Sequence, residues 1–302
     1  GEAYIKGYWR SPNLAKLIEV LVINRGEISE LMAGNSLTRL VNSILHKLNS
    51  NTIVNSKQNI SKHYDLGNEF YKLFLDKTMT YSSAVFRDSN MSLYEAQVHK
   101  ISKLIRKCQL KKHHHILEIG SGWGTMAITI AKEIGCKVTT ITLSQEQYNL
   151  VKERIKEEGV EDLIDIQIQD YRHVKGQFDR IISVEMIEAV GDQYLDGYFK
   201  KADELLTEGG FFVVQAITYP DQFYKKYKKG SDFIRKHIFP GGHLPSLQRI
   251  NKSIEKTKLS LEEKENIALS YAQTLMYWAE TFLEKRKEIL NLGFDDYFIR
   301  KV

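Results

Sequence analysis

Glycines and polar side chains follow several apolar runs of this 302-residue chain, at the points where those runs end. Glycine allows a backbone to turn sharply and to approach a ligand closely, and carboxyl, amide and hydroxyl groups can bind a ligand or move a proton. The pattern predicts a ligand site, with a structural strand-to-helix turn at the glycines as the alternative. The residues concerned are Gly120, Gly122, Gly124, Thr142, Asp170, Glu185, Glu188 and Gln215.

The elements that must position these residues alternate between strands and helices. Strands are predicted at 115–120, 137–143, 163–169, 178–184 and 211–217, and helices at 92–110, 144–158 and 194–206. Such alternation predicts an α/β fold whose mostly parallel sheet carries helices on both faces and binds ligands at the carboxyl ends of its strands. A sixth strand is predicted at 259–267 and a helix at 270–290.

Two flanking segments have a different character. Apolar residues at helical spacing in 37–48 predict a helix that packs on the main domain or lies on an anionic membrane surface. Segment 56–87 is polar and aromatic, which suits either a lid over a ligand or an ordered surface loop. We therefore divide the chain into an N-terminal helical and lid segment, 1–90, and a catalytic domain, 91–302.

Composition limits the compartment and the partners. The chain has two cysteines without a disulfide or metal spacing, no recognisable signal peptide, and no apolar run of the roughly 18–20 residues that span a bilayer. A cytoplasmic protein without a metal site is therefore expected. The sequence carries no aromatic-basic module for nucleic acid. A basic and aromatic segment, 219–236, predicts peripheral docking to lipid phosphates, or else a solvated helix face; its lysines include Lys225, Lys226, Lys228 and Lys229.

Several long motifs make the chain similar to a known family. They are H-Y-D-L-G-N at 63–68, M-T-Y-S-S-A at 79–84, L-E-I-G-S-G-W-G at 117–124, T-L-S-x-x-Q at 142–147, Q-D-Y-R at 169–172, E-M-I-E-A-V-G at 185–191, I-F-P-G-G-x-L-P-S at 238–246 and T-L-M-Y-W at 274–278. With these motifs the whole chain resembles the cyclopropane fatty acid synthases, which use S-adenosylmethionine to modify unsaturated acyl chains. Ala189 and Gln215 resemble the plant and other eukaryotic-type branch, since the commoner bacterial form has histidine at both positions.

The resemblance implies a class I methyltransferase-like Rossmann fold and a role for each motif residue. Tyr81 and Ser82 would cover the methionine end of S-adenosylmethionine, the glycines would wrap it, and residues after the second and third strands would hold its ribose and adenine. The implied cofactor residues are Tyr81, Ser82, Gly120, Gly122, Gly124, Thr142, Leu143, Gln147, Asp170 and Tyr171.

The reaction that the resemblance implies also needs a base. Transfer of a methyl group to a double bond leaves a cation that aromatic faces stabilise, and Tyr271, Tyr277 and Trp278 are candidates. Loss of a proton then closes the ring. A bound bicarbonate is the implied base, and the residues that would hold it are Ser83, Glu188, Gln215, Ile217 and Tyr271.

The sequence departs from the family pattern at three site positions. Ser83 and Ser121 stand where cysteine is usual, and Gln215 replaces the bacterial histidine. Serine and glutamine can still bind an anion, so we expect a phospholipid cyclopropane synthase. The alternatives are a methyltransferase that gives a methyl- or methylene-branched lipid or methylates a small amine, and a silent lipid- or cofactor-binding homologue.

The ends of the chain carry two further expectations. The chain opens within a pattern at Gly1 and stops at Val302 just as a new segment begins, so a shortened chain is expected at both ends. The strands that would cover the edge of the fifth strand are missing, and that edge should lie partly bare. A homodimer is kept open beside a monomer.

Overall fold

A five-stranded parallel sheet forms the centre of the computed structural model, which describes residues 1–24, 66–230 and 232–302. The strand order is β3-β2-β1-β4-β5, and every neighbouring pair is parallel. The strands are β1 (His115–Ile119), β2 (Lys137–Thr142), β3 (Ile164–Ile168), β4 (Phe178–Val184) and β5 (Leu206–Gln215). The chain order reverses between β1 and β4, which makes the carboxyl ends of these two strands the place where such a sheet binds ligands.

Helices connect the strands and flank the sheet. Ser92 and Glu95 form a capping box at the start of the helix before β1, and the Ser144 side chain caps the helix after β2. The helices are α1 (Glu2–Ile5), α2 (Leu14–Ile23), α3 (Asn68–Phe74), α4 (Leu93–Lys107), α5 (Thr125–Ile134), α6 (Gln145–Glu157), α7 (Leu195–Leu205), α8 (Asp221–Lys229), α9 (Phe233–His237), α10 (Leu247–Ile254), α11 (Ala268–Glu284), α12 (Arg286–Asn291) and α13 (Asp296–Lys301).

Three clusters of buried apolar side chains hold these layers together. The first joins α4, α5 and α6 to the sheet, and the second joins α7 to the sheet. The third is mainly aromatic and packs α3 and residues 79–96 against Trp123, Trp278 and Phe282. The aromatic cluster therefore fixes the segment that precedes the sheet against the glycine turn after β1.

The parallel α/β sheet confirms the predicted fold class, and β4 has the predicted bounds. β5 begins five residues earlier than predicted, at Leu206 rather than Phe211. The strand pairing shifts between Phe178 and Arg180, and Gly210 lies where a Cβ would come within 3.0 Å of the Asp179 carbonyl oxygen. The two glycines therefore accommodate an irregularity inside the strand instead of marking a turn before it. Within the described residues β5 pairs with β4 alone, so no strand pairs with its other edge there, as expected.

Two other predicted elements differ from the structure. Residues 259–267 form no strand; there Glu263 and Glu265 make ion pairs with Lys107 and Lys103 of α4, so charge pairing and not a strand ladder holds this segment. The helix predicted at 270–290 is divided into α11 and α12 at Lys285.

Some predictions concern residues that are not described. The helix at 37–48 and the motif up to Asp65 lie outside the described residues, and the boundary at residue 90 stays a prediction. In the parts of the chain that the structure describes, no helix is both long and apolar enough to cross a bilayer.

Candidate active site

A cavity opens at the carboxyl ends of β1 and β4, below the segment 79–82 that precedes α4. Most of the predicted cofactor residues line it: Tyr81, Ser82, Gly120, Gly122, Thr142, Leu143, Gln147 and Tyr171. Glu185, which was predicted to lie at a ligand-binding strand end, lines it as well, together with Glu118 and Lys100, for which no role was predicted. The structure thus brings residues from six separate segments to one site.

The glycine turn after β1 borders this cavity, and its backbone is left-handed at all three glycines. The φ angles are +95° at Gly120, +49° at Gly122 and +87° at Gly124, a region that favours glycine. A Cβ at Gly122 would meet no atom within 4 Å, so open space lies beside it. A Cβ at Gly124 would come to 3.0 Å from Val151, and Gly124 does not line the cavity. Gly124 therefore serves helix packing, while Gly120 and Gly122 border the ligand space.

Side chains at the ends of β2 and β3 are already positioned. Thr142 Oγ1 donates to Gln147 Oε1 at 2.8 Å and accepts from the Ser144 N–H at 3.1 Å. Asp170 does not line the cavity, because its carboxylate is paired with the Arg172 guanidinium at 2.6 Å. Tyr171, which does line it, is the residue of the pair that a ligand could reach.

The segment over the cavity is tied to α4 by polar contacts. Lys100 Nζ donates to Ser82 Oγ at 2.8 Å, and Gln97 Nε2 donates to the Ser82 carbonyl oxygen at 2.9 Å. The Tyr81 ring packs at 5.2 Å from Trp278. Both Lys100 and Gln97 are buried, so α4 fixes the position of the segment that would cover a ligand.

None of the five predicted base-site residues lines this cavity, but Glu185, which does, is bonded to two of them. The Glu185 carboxylate accepts the Ser83 N–H at 2.8 Å and Gln215 Nε2 at 2.9 Å. Glu188 Oε1 accepts the Ile217 N–H, and Glu188 Oε2 is buried without a partner. The charges of Glu185 and Glu188 both act on Tyr271. The structure therefore places all five residues around two carboxyl groups.

Sequence reasoning noted Glu185 at the end of β4 but gave it no function. Its φ is +49°, a left-handed conformation that is uncommon for a residue with a side chain, and its N–H donates to the Gln215 carbonyl oxygen at 2.8 Å. Backbone strain of this kind clusters at functional sites. The signal in the sequence was the pair of acids, Glu185 and Glu188, directly after an apolar strand.

The environment of the site shifts the pKa values of its charged groups. Burial raises the pKa of Glu188 to about 8, and the nearby Glu185 carboxylate raises it too. Burial also raises the pKa of Glu185, while hydrogen bonds from Gln215 and Ser83 and the charge of Lys100 oppose that shift. Lys100 is buried among acids; burial lowers its pKa to about 8, and Glu185, Asp76 and Glu118 act in the opposite direction. Such shifts in a cavity are typical of groups that transfer protons.

The hydrogen bonds of the predicted base-site residues show whether the implied bicarbonate fits among them. An anion needs donors, yet the Ser83 N–H and the Gln215 amide are bonded to Glu185, and the Ile217 N–H is bonded to Glu188. The Ser83 hydroxyl donates to the Ala84 carbonyl oxygen at 2.9 Å. Bicarbonate therefore does not fit this arrangement unless it displaces a carboxylate of the protein.

Comparison with known proteins agrees with this geometry. The family described as mycolic acid cyclopropane synthetase matches residues 52–301. The chain is 36% identical over 310 residues to the tuberculostearic acid methyltransferase UfaA1 of Mycobacterium tuberculosis, covering 99% of this chain and 72% of that protein. It is also 36% identical over 294 residues to the cyclopropane-fatty-acyl-phospholipid synthase of Escherichia coli, covering 96% of this chain and 72% of that protein.

Solved structures with a similar fold include a member of the same family. A crystal structure of the mycolic acid cyclopropane synthase CmaA1 complexed with SAH and CTAB superposes with a TM-score of 0.75 at 27% identity, covering 81% of this chain and 89% of that chain. The strand order, the glycine turn and the family match agree. The chain belongs to the mycolic acid cyclopropane synthetase family of S-adenosylmethionine-dependent methyltransferases.

Proposed function

We propose that the protein transfers the methyl group of S-adenosylmethionine to a cis double bond of a phospholipid acyl chain and closes a cyclopropane ring. The observation that carries this proposal is the placement of a carboxyl pair, Glu185 and Glu188, directly beside the cavity of the glycine turn. A methyltransferase that acts on an oxygen or nitrogen atom need only remove a proton from its acceptor. Ring closure instead needs a base next to the transferred carbon itself.

The residues of the cavity would hold the methyl donor. S-adenosylmethionine supplies an electrophilic methyl group on a sulfonium. Gly120 and Gly122 would allow close approach of the backbone, Thr142 and Gln147 would face the ribose, and Tyr171 would lie beside the adenine, since all five line the cavity. Tyr81 and Ser82 would cover the methionine end and exclude water, which favours reaction of a weak nucleophile.

The structure places the aromatic candidates for stabilising a cation in different surroundings. Tyr271 lies close enough to Glu185, Tyr81 and Glu188 for their charges to shift its pKa, which burial raises first. Tyr277 stacks on Phe86 at 5.8 Å, and its hydroxyl donates to the Met91 carbonyl oxygen. Tyr271 is therefore the aromatic face that we assign to the reacting carbon.

A second outcome of the same chemistry is a methylene-branched chain. The relative UfaA1 is named as a tuberculostearic acid methyltransferase, and this chain has Ser83 and Gln215 where the bacterial cyclopropane pattern has cysteine and histidine. A 1,2-hydride shift would move the cation to the carbon that carries the new methyl group, and loss of a proton from that methyl group would then give an exocyclic methylene group.

The product of the reaction tests the proposed function. The protein is incubated with S-adenosylmethionine and vesicles of a cis-unsaturated phosphatidylglycerol, and the recovered acyl chains are examined by mass spectrometry and proton NMR. Each modified chain should be heavier by one methylene unit, and vesicles of a saturated lipid should give no product. Binding of the cofactor without any product would leave a silent binding protein.

The membrane surface that we propose is α8 with its lysines. Lys225, Lys226 and Lys229 are exposed and make no ion pair among the described residues, whereas Lys228 pairs with Asp192. Exposed apolar side chains, Ile234 and Phe239, follow on the same segment. Basic and apolar groups that are close together suit the interface of an anionic bilayer.

Replacing Lys225, Lys226 and Lys229 with glutamine should weaken binding to anionic vesicles by about 100-fold, since each basic residue contributes roughly 1 kcal/mol. Vesicle sedimentation at low salt measures the effect. The matched control replaces three exposed lysines elsewhere, Lys152, Lys156 and Lys175. If both triple variants lose the same affinity, the attraction belongs to the net charge of +5 and not to α8.

A further inference from the structure

Two of the donors predicted for a bound anion, the Ser83 N–H and the Gln215 amide, are used by one carboxylate of the chain. Glu185 Oε1 accepts both the Ser83 N–H at 2.8 Å and Gln215 Nε2 at 2.9 Å. Gln215 Nε2 also donates to the Ser83 carbonyl oxygen at 3.0 Å, which holds the amide in this orientation. Three parts of the fold, the segment before α4, the end of β4 and the end of β5, thus converge on one carboxylate oxygen.

The negative charge of the pair belongs on Glu185. Two like charges in a site with little water cannot both ionise, so one group keeps its proton. Glu185 accepts a backbone N–H and the Gln215 amide on one oxygen and lies within the field of Lys100, while the hydrogen bonds to Glu188 come from the backbone alone and leave its Oε2 buried without a partner. Hydrogen bonds to the charged form favour it. Glu185 is therefore the anion and Glu188 the neutral acid near pH 7.

Resting on the proposed function, we propose that Glu185 is the catalytic base of the reaction and that this protein needs no bicarbonate. Glu185 lines the same cavity as Gly120, Gly122 and Tyr81. Its left-handed backbone, φ +49°, aims the side chain at Ser83 and Gln215. A bicarbonate ion at this place would have to remove that carboxylate.

The step balances without another reactant. The electrons of the double bond form a bond to the methyl carbon, the bond from that carbon to sulfur breaks, and S-adenosylhomocysteine leaves. The cation on the neighbouring chain carbon is neutralised when the Glu185 carboxylate takes a proton from the transferred carbon and the released C–H electron pair closes the ring. Glu185, which lines the cavity, then gives the proton to water that enters after the products leave.

Dependence on bicarbonate tests this inference. In buffer freed of carbon dioxide the wild-type protein should keep its kcat within about twofold, and Glu185→Gln should lower kcat by about 100-fold or more in either buffer. Glu185→Gly keeps a residue suited to positive φ and vacates the anion position, so added bicarbonate should restore its kcat by about tenfold or more. The matched control, Glu118→Gln, removes another carboxyl group of the cavity and should not become dependent on bicarbonate.

A binding measurement decides the matter without turnover. Calorimetric titration with bicarbonate should show no binding to the wild-type protein and saturable binding to Glu185→Gly, with circular dichroism to confirm that the variant is folded. Bicarbonate binding by the wild-type protein, or loss of its activity when bicarbonate is removed, would overturn the inference. A wild-type protein that modifies no lipid in any buffer would refute the proposed function, and the titration would still decide whether Glu185 fills the anion position.

Discussion

Replacing Glu188 with glutamine should lower kcat by about 100-fold or more and change the affinity for S-adenosylmethionine by less than about threefold. Glutamine keeps the shape of the side chain and can still accept the Ile217 N–H, but it can neither bind nor release a proton. Glu188 Oε2 is buried without a partner and Glu188 does not line the cofactor cavity. The substitution therefore removes a titratable group that interacts with Glu185 and Tyr271, while the cofactor site stays intact.

Single-turnover kinetics and calorimetric titration with S-adenosylmethionine separate these two quantities. Thr142→Val is a useful comparison, because Thr142 lines the cofactor cavity and its loss should weaken cofactor binding more than it slows chemistry. An equal loss of kcat and cofactor affinity in Glu188→Gln would argue that Glu188 only supports the fold.

Replacing Lys100 with methionine should lower the free energy of unfolding by about 3–5 kcal/mol, because a buried acid that loses its cation is strongly destabilised. Lys100 is 1% exposed, and its charge acts on Glu185, Asp76 and Glu118. Methionine keeps most of the aliphatic volume, so the change isolates the loss of charge and of the hydrogen bond to Ser82. The segment over the cavity should loosen with it.

Urea denaturation measures this effect, and the same helix supplies the control. Lys103 lies one turn away on α4 and pairs with Glu265 at the surface, so Lys103→Met should cost no more than about 1 kcal/mol. If the two variants lose the same stability, Lys100 does not compensate the buried acids of the site.

Much of the sheet could be predicted because β1 and β4 are short, mainly apolar runs, and β2 and β3 carry the β-branched residues that are typical of strands. The start of β5 could not, because Gly209 and Gly210 are typical of a turn. Gly210 lies inside the strand instead, where the carbonyl oxygens of Thr207 and Asp179 leave no room for a Cβ. Both contacts arise only when the strand is folded and paired with β4, and the sequence does not indicate them.

The site residues also divide into those that the sequence could predict and those that it could not. Residues in long motifs, such as Gly120, Gly122 and Gln147, could be placed because their positions follow from strand ends. Lys100 could not, since it resembles the surface lysines Lys103 and Lys107 of the same helix, and only the packed fold shows that it is buried. Glu185 was visible as an acid after a strand. Its two hydrogen bonds, however, depend on a left-handed backbone angle that the sequence does not indicate.

The measurement that tests the central claim most directly is the proton NMR spectrum of the lipid product. After incubation with S-adenosylmethionine and cis-unsaturated phosphatidylglycerol vesicles, the acyl chains should show strongly upfield signals of cyclopropane ring protons. Signals of an exocyclic methylene group without the ring signals would show a branching methyltransferase. Unchanged acyl chains, from protein that still binds S-adenosylmethionine, would contradict the proposed transfer to a lipid double bond.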